Sequence, residues 1–175
     1  MAGLVPAIHV FVNRRKTWMP GTRPGMTKNK EPFMFTNRRD VRIVWGDCDP
    51  AGIVYYPRYF EMFDASTTAL FERALGMTKF QFVKAFDSLG YPMVDTRARF
   101  VVPTRYGDDV VIETTITEIK RSSFSVTHRI MKDGALAVEG FETRVWVARD
   151  PADPDKIKSK ALPDEIVAKL RGSTD

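Results

Sequence analysis

A chain of 175 residues, 43% hydrophobic and 28% charged, is long enough for one folded domain and too ordinary in composition for a fibrous or wholly disordered protein. Its single cysteine, Cys48, excludes an intrachain disulfide and a Cys-based zinc cluster, and it fits a reducing cytoplasm. The net charge of +5 is uneven: residues 1–39 hold eight Lys or Arg and one acid (+7), so the remainder is −2 and offers no basic stripe for nucleic acid.

Residues 1–37 read as a disordered N-terminal extension, because prolines and scattered Trp and Met interrupt every period. The apolar run 4–12 is too short to span a bilayer. Its positive charges follow the run, the reverse of a secretory signal, so no stable membrane association is expected. The extension also resembles translated intergenic repeats at the ends of bacterial reading frames, which would make Met26 or Met34 the start.

The folded domain is expected over residues 38–150. "RRDVRIVW" (38–45) alternates as a first strand, with Val41, Ile43 and Trp45 on one side. After a loop, Pro57 suits the first turn of a helix, and Phe60, Phe63, Thr67, Leu70, Phe71 and Ala74 recur at spacings of three and four. Glu61, Ser66, Thr68 and Arg73 fall largely between them, and Gly76 is a natural stop. A shorter helix is expected near 80–88. From Pro92 the period becomes two, giving strands over 94–102, 109–119, 124–131 and 136–148 in a meander. "KRSS" (120–123) and "KDGA" (132–135) are the turns, and Gly140 suggests a bulge. Residues 151–175 read as a tail with a short helix capped near Asp164. One long helix against one antiparallel sheet is an α+β arrangement with exposed edges, which favours pairing with another subunit.

Phosphate-loop, dinucleotide, zinc-protease and nucleophile-elbow motifs are absent from the sequence. Of the two histidines, His9 lies in the extension and His128 on the apolar face of a strand, where it reads as a satisfied core or interface residue. What remains is carboxylate chemistry without a metal or cofactor. In "GDCDPAGIVYYPRYF" (46–60), Asp47 reads as a turn residue. Asp49 reads either as an Asx-turn or cap, or as a carboxylate beside a substrate carbonyl. The helix start at 55–57 presents unpaired N–H groups that can polarise a carbonyl oxygen.

The same run, followed by "FDAS" (63–66), resembles the hotdog-fold thioesterases, and among them the 4-hydroxybenzoyl-CoA thioesterase branch. The resemblance extends from about Val41 to Val147. It implies a long central helix wrapped by a curved antiparallel sheet of about five strands, dimers formed edge to edge, and often tetramers. It implies that Asp49 attacks an acyl-CoA thioester or activates water, and that the backbone N–H of Tyr56 polarises the carbonyl. It further implies that Asp64 contacts the hydroxyl of an aromatic acyl group from the neighbouring subunit, that Tyr55 borders the substrate, and that Lys120 and Arg121 meet CoA phosphates. On the residues alone, Asp64 is equally a solvated helix acid, and Lys120 and Arg121 equally a soluble turn. Coenzyme A is then part of the substrate rather than a cofactor. Three positions depart from the branch: Tyr55 stands for a tryptophan, Ser122 for a lysine, and Tyr91 for a smaller residue near the acyl pocket. The branch acting on short-chain or lipid-linked acyl groups usually has His where Tyr56 and Pro57 stand. The alternatives are a hotdog protein that binds acyl-CoA without cleaving it, or a thioesterase for short aliphatic acyl groups.

Overall fold

The computed structural model describes residues 34–172. The expected extension lies outside them as far as residue 33. Residues 34–37 belong to the folded part: Met34 and Phe35 pack on the core, and Phe35 N–H donates to the Leu170 carbonyl at 2.9 Å.

The elements, in chain order, are β1 (Thr36–Arg42), a single 3₁₀ turn (Trp45–Asp47), α1 (Tyr56–Leu75), α2 (Lys79–Ala85), β2 (Met93–Phe100), β3 (Asp109–Ile119), β4 (Ser123–Lys132), β5 (Ala135–Val145), β6 (Val147–Asp150), β7 (Asp153–Ser159) and α3 (Asp164–Leu170). The first strand ends three residues before the expected limit. Asp47 Oδ2 captures the Val44 N–H at 2.9 Å and turns the chain, so Trp45 leaves the strand and stands 76% exposed against Tyr106. Helix α1 starts one residue before Pro57, and Gly76 closes it in the left-handed conformation at φ 66°, as its C-terminal glycine predicts. Ser66 departs from the expected polar face: it is buried and accepts from Arg39 Nη1 at 2.9 Å. Helix α2 is capped by Thr78, which accepts from Gln81 N–H.

The main sheet is antiparallel in the order β1-β3-β4-β5-β2. Only β3, β4 and β5 form a meander. β2 crosses to the far side and pairs with β5, leaving β1 and β2 as the edges. The last long strand ends at Val145, and part of the expected tail is the hairpin β6–β7. Helix α3 takes Pro163 at its N-cap, with Asp164 and Glu165 in its first turn where the helix dipole favours acids. The whole arrangement is a hotdog fold: α1 lies against the sheet and the core divides along its length. One half gathers Ile43, Val54, Tyr59, Phe63, Ile112 and Ile130. The other gathers Leu70, Phe71, Phe82, Tyr91, Phe124 and Trp146 under α3. No helix among the described residues is long and apolar enough to cross a membrane.

Gly140 is no bulge. It stays in register opposite His128 and Ala98, and a Cβ there would lie 2.5 Å from the Phe63 ring. The glycine lets α1 sit down on β5. Gly140→Ala is therefore expected to destabilise the fold by about 1–3 kcal/mol through overpacking. An unchanged urea midpoint would show that Phe63 yields at no cost.

Candidate active site

The loop between β1 and α1 is built from its own short-range bonds. Asp49 N–H donates to the Ile53 carbonyl, Gly52 N–H to the Asp49 carbonyl and Tyr55 N–H to the Asp47 carbonyl, all within 2.9 Å. Gly52 supplies the positive φ of 73° that this turn needs. Val54 N–H donates to the Thr104 carbonyl, and Arg105 Nη1 to the Gly52 carbonyl, so the loop is anchored to the segment after β2.

Asp49 Oδ1 accepts the Ala51 N–H at 2.9 Å, the Asx-turn expected of its position. That bond fixes the carboxylate and leaves Oδ2 without a protein partner among the described residues. Asp49 is half-buried in the wall of a cavity of about 330 Å³, which Tyr56, Tyr59, Val54, Phe100 and Val102 also line. Tyr59 is held in that wall by a 2.7 Å bond between its hydroxyl and Thr104 Oγ1. At the start of α1 no side chain caps the helix and no acid occupies the first turn. Pro57 has no N–H, and Arg58 N–H already bonds the Tyr55 carbonyl at 2.8 Å. The Tyr56 N–H has no partner among the described residues and stands at the positive end of a 20-residue helix. Asp49, the helix-start residue Tyr56 and apolar walls thus line one cavity. That combination suits attack on an activated carbonyl carbon.

The structure separates the remaining candidates. Asp64 lies eight residues further along α1, about 12 Å at 1.5 Å per residue. It lines a second cavity of about 290 Å³ with Lys79, Tyr91, Met93 and Arg144. Tyr55 does not line the first cavity; it is 49% exposed, with its ring edge-on to Tyr56. Lys120 and Arg121 sit on the β3–β4 turn and line neither cavity, and Lys120 pairs with Glu118 at 3.2 Å. The Arg121 carbonyl accepts the Leu162 N–H at 2.8 Å, which ties the segment after β7 to this turn.

His128 is the satisfied core residue expected. Its ring stacks on Phe63 at 4.6 Å, Nδ1 lies 3.0 Å from Thr114 Oγ1, and Nε2 lies 3.2 Å from Glu142 Oε2. The same Glu142 oxygen accepts from Arg144 Nε at 2.9 Å, and Arg144 Nη1 reaches Asp64 Oδ1 at 2.7 Å. Burial pushes His128 below its ordinary value, against the pull of Glu142. Burial raises Glu142, but bonds from His128 and Arg144 outweigh it and hold the carboxyl below its usual range. Burial pushes the Tyr91 hydroxyl up to about 12. Nothing in the local sequence singles out Glu142 and Arg144. The available signal was their phase: with Val138 and Gly140 they share one face of β5, and that face is buried.

These directions predict a pH dependence. Below pH 6.5 an unfolded His128 takes up a proton that the folded one resists, so the unfolded chain binds more protons and acidification costs stability. Glu142 adds a further loss as pH falls through its lowered value, below 4.5. Melting temperatures are expected to fall from pH 7.5 to pH 5, and His128→Gln to flatten that slope. Parallel curves for the two proteins would contradict this.

Comparison with known proteins identifies the superfamily. The family model of the thioesterase-like superfamily matches residues 43–170, and the chain belongs to that superfamily. It is 36% identical over 115 residues to the 4-hydroxybenzoyl-CoA thioesterase of Pseudomonas sp. strain CBS-3, covering 62% of this chain and 81% of that one. A crystal structure of a mutant 4-hydroxybenzoyl-CoA thioesterase complexed with 4-hydroxybenzoyl-CoA superposes with a TM-score of 0.71 at 30% identity, over 78% of this chain and 99% of that one. A gentisyl-coenzyme A thioesterase superposes with a TM-score of 0.64 at 30% identity, over 75% and 99%.

Proposed function

We propose that this protein hydrolyses acyl-CoA thioesters to the free acid and CoA, with an aromatic acyl group such as 4-hydroxybenzoyl as substrate. The observation that carries the reading is the pairing of Asp49 with the unpartnered Tyr56 N–H on one apolar cavity. The Tyr56 N–H polarises the thioester oxygen. Asp49 Oδ2 either adds to the carbonyl carbon, expelling the CoA thiolate and leaving a mixed anhydride that water opens, or draws the proton from a water that adds directly. Either way one water is consumed, and the products are a carboxylic acid and CoA thiol. No metal or cofactor enters the scheme. The setting we propose is the cytoplasm, and Lys120 and Arg121 would meet the CoA phosphates.

The working unit in this reading is a dimer joined through β2. This edge strand is open on both faces, with Val94 61% and Phe100 51% exposed. The Asp49 cavity lies at its C-terminal end, beside Phe100 and Val102, and the Asp64 cavity at its N-terminal end, beside Met93. Antiparallel pairing of β2 with a second copy about a twofold axis brings these opposite ends together. Each Asp49 cavity is thereby extended by the Asp64 cavity of the other chain, and a ring attached to the thioester spans the two. A dimer of dimers would repeat this unit.

The experiment is thiol release from purified protein on benzoyl-, 4-hydroxybenzoyl-, phenylacetyl- and short aliphatic-CoA esters. The expected result is turnover with preference for a hydroxylated aromatic ester. Tight binding without free CoA would instead make the protein an acyl-CoA carrier, and preference for aliphatic esters would overturn the aromatic reading.

A further inference from the structure

We infer that Arg144 is a positioning residue for the acyl group: held from behind by Glu142, it aims the Asp64 carboxylate at a neutral hydroxyl on the far end of the ring. This rests on the reading that Asp64 meets the acyl group. Asp64 alone is poorly placed to discriminate. It projects from a helix surface with its side chain 54% exposed, and a lone solvated carboxylate has rotational freedom and water to satisfy it. Arg144 removes that freedom. Its side chain is only 3% exposed, on the buried face of β5, and it takes one oxygen of Asp64 at 2.7 Å. Behind it, Glu142 accepts from Arg144 Nε, from His128 and from Thr67 Oγ1 at 3.2 Å, all through Oε2. The ladder from His128 to Asp64 therefore runs from the core to the cavity and ends on a carboxylate whose Oδ2 has no protein partner among the described residues.

Two further observations indicate a ligand-facing device rather than a mere structural ion pair. Arg144 Nη2 and Glu142 Oε1 are buried and lack hydrogen-bond partners, although buried polar groups are ordinarily paired. Arg144 also lines the cavity directly, with its guanidinium 5.7 Å from the centre of the Tyr91 ring. The charges fix the ligand's chemistry. Around this cavity the carboxylates of Asp64, Glu142 and Glu72, the last accepting the Lys79 N–H at 2.8 Å, outnumber the cations Arg144 and Lys79, whose ammonium lies 5.1 Å from the same ring centre. A pocket with a small acidic excess and a carboxylate acceptor at its mouth suits an uncharged hydroxyl and repels an anionic substituent. Arg144 matters as a fork: it holds Asp64 and Glu142 at once from different nitrogens, which a lysine cannot do in the same geometry.

The test compares kcat/KM on 4-hydroxybenzoyl-CoA with that on benzoyl-CoA and 3-hydroxybenzoyl-CoA for wild type, Arg144→Lys, Arg144→Gln and Asp64→Ala. The ratio between substrates is the readout, because a merely structural defect lowers all three values together and leaves the ratios alone. The expected result is that each variant loses at least about tenfold of the preference for the 4-hydroxyl, in line with the discrimination that one oriented hydrogen bond supplies. If Asp64→Ala loses the preference while Arg144→Lys and Arg144→Gln keep it, the role assigned to Arg144 is wrong and the acyl-pocket reading stands. If Asp64→Ala keeps it, or wild type shows none, both fail. Should Lys at 144 prevent folding, the Gln variant decides between these outcomes. Should both prevent it, Glu142→Gln, which loosens the grip on Arg144 while retaining an acceptor, must lower the same ratio or the inference fails.

Discussion

Asp49→Asn is expected to lower kcat on 4-hydroxybenzoyl-CoA by about 10²–10⁴-fold, the range for removing a positioned carboxylate that acts on the reacting bond. The substitution is a clean one here. The amide oxygen of Asn can still accept the Ala51 N–H at the place where Asp49 Oδ1 now accepts it, so the turn that shapes the loop survives. What is lost is the negative charge on the second oxygen, the group that either forms the anhydride or deprotonates water. Binding of substrate should persist, because the cavity walls and the Tyr56 N–H are untouched, and the melting temperature should stay close to that of wild type. Near-normal turnover in a folded Asp49→Asn protein would remove the carboxylate from the mechanism.

Val94→Glu is expected to convert dimers to monomers and to lower kcat/KM by two orders of magnitude or more, on the order of the loss when a site's positioning half is removed. Val94 lies on the edge strand β2, at the register shift between Met93 and Asp95, and is 61% exposed, so the substitution leaves the isolated fold nearly unperturbed. In the paired edge the introduced carboxylate would be desolvated twice, once in each half of the interface around the twofold axis. Light scattering should give half the wild-type mass, with far-UV circular dichroism unchanged. A fully active monomer would mean that one chain holds a complete site.

The parts of this account that the sequence makes legible are those with local causes. Pro57 and Gly76 punctuate α1 because one lacks an N–H and the other tolerates a left-handed backbone. The loop 46–55 is readable because Asp49, Gly52 and Asp47 each close bonds within a few residues. What stayed hidden depends on distant contacts. The crossing of β2 to the far side of β5 leaves no mark on its own alternation, which also disguised its exposure on both faces. The hairpin β6–β7 escaped notice because most of β7 faces solvent and so carries no apolar period. Gly140 reads as a bulge in the sequence, and only the Phe63 ring packed against it shows a close approach instead. Glu142 and Arg144 looked like ordinary strand charges until His128, Thr67 and Asp64 were seen to converge on them.

The composite site is tested most directly by mixing subunits. Asp49→Asn and Asp64→Ala chains, each impaired alone on 4-hydroxybenzoyl-CoA, are co-assembled in equal amounts. If the site spans two chains, each mixed dimer contains one site with both native aspartates. Random pairing makes half of the dimers mixed, so the mixture should recover about a quarter of wild-type activity. Recovery of nothing beyond the average of the two separate variants would contradict the account, because it would mean that Asp49 and Asp64 act within one chain or that Asp64 takes no part.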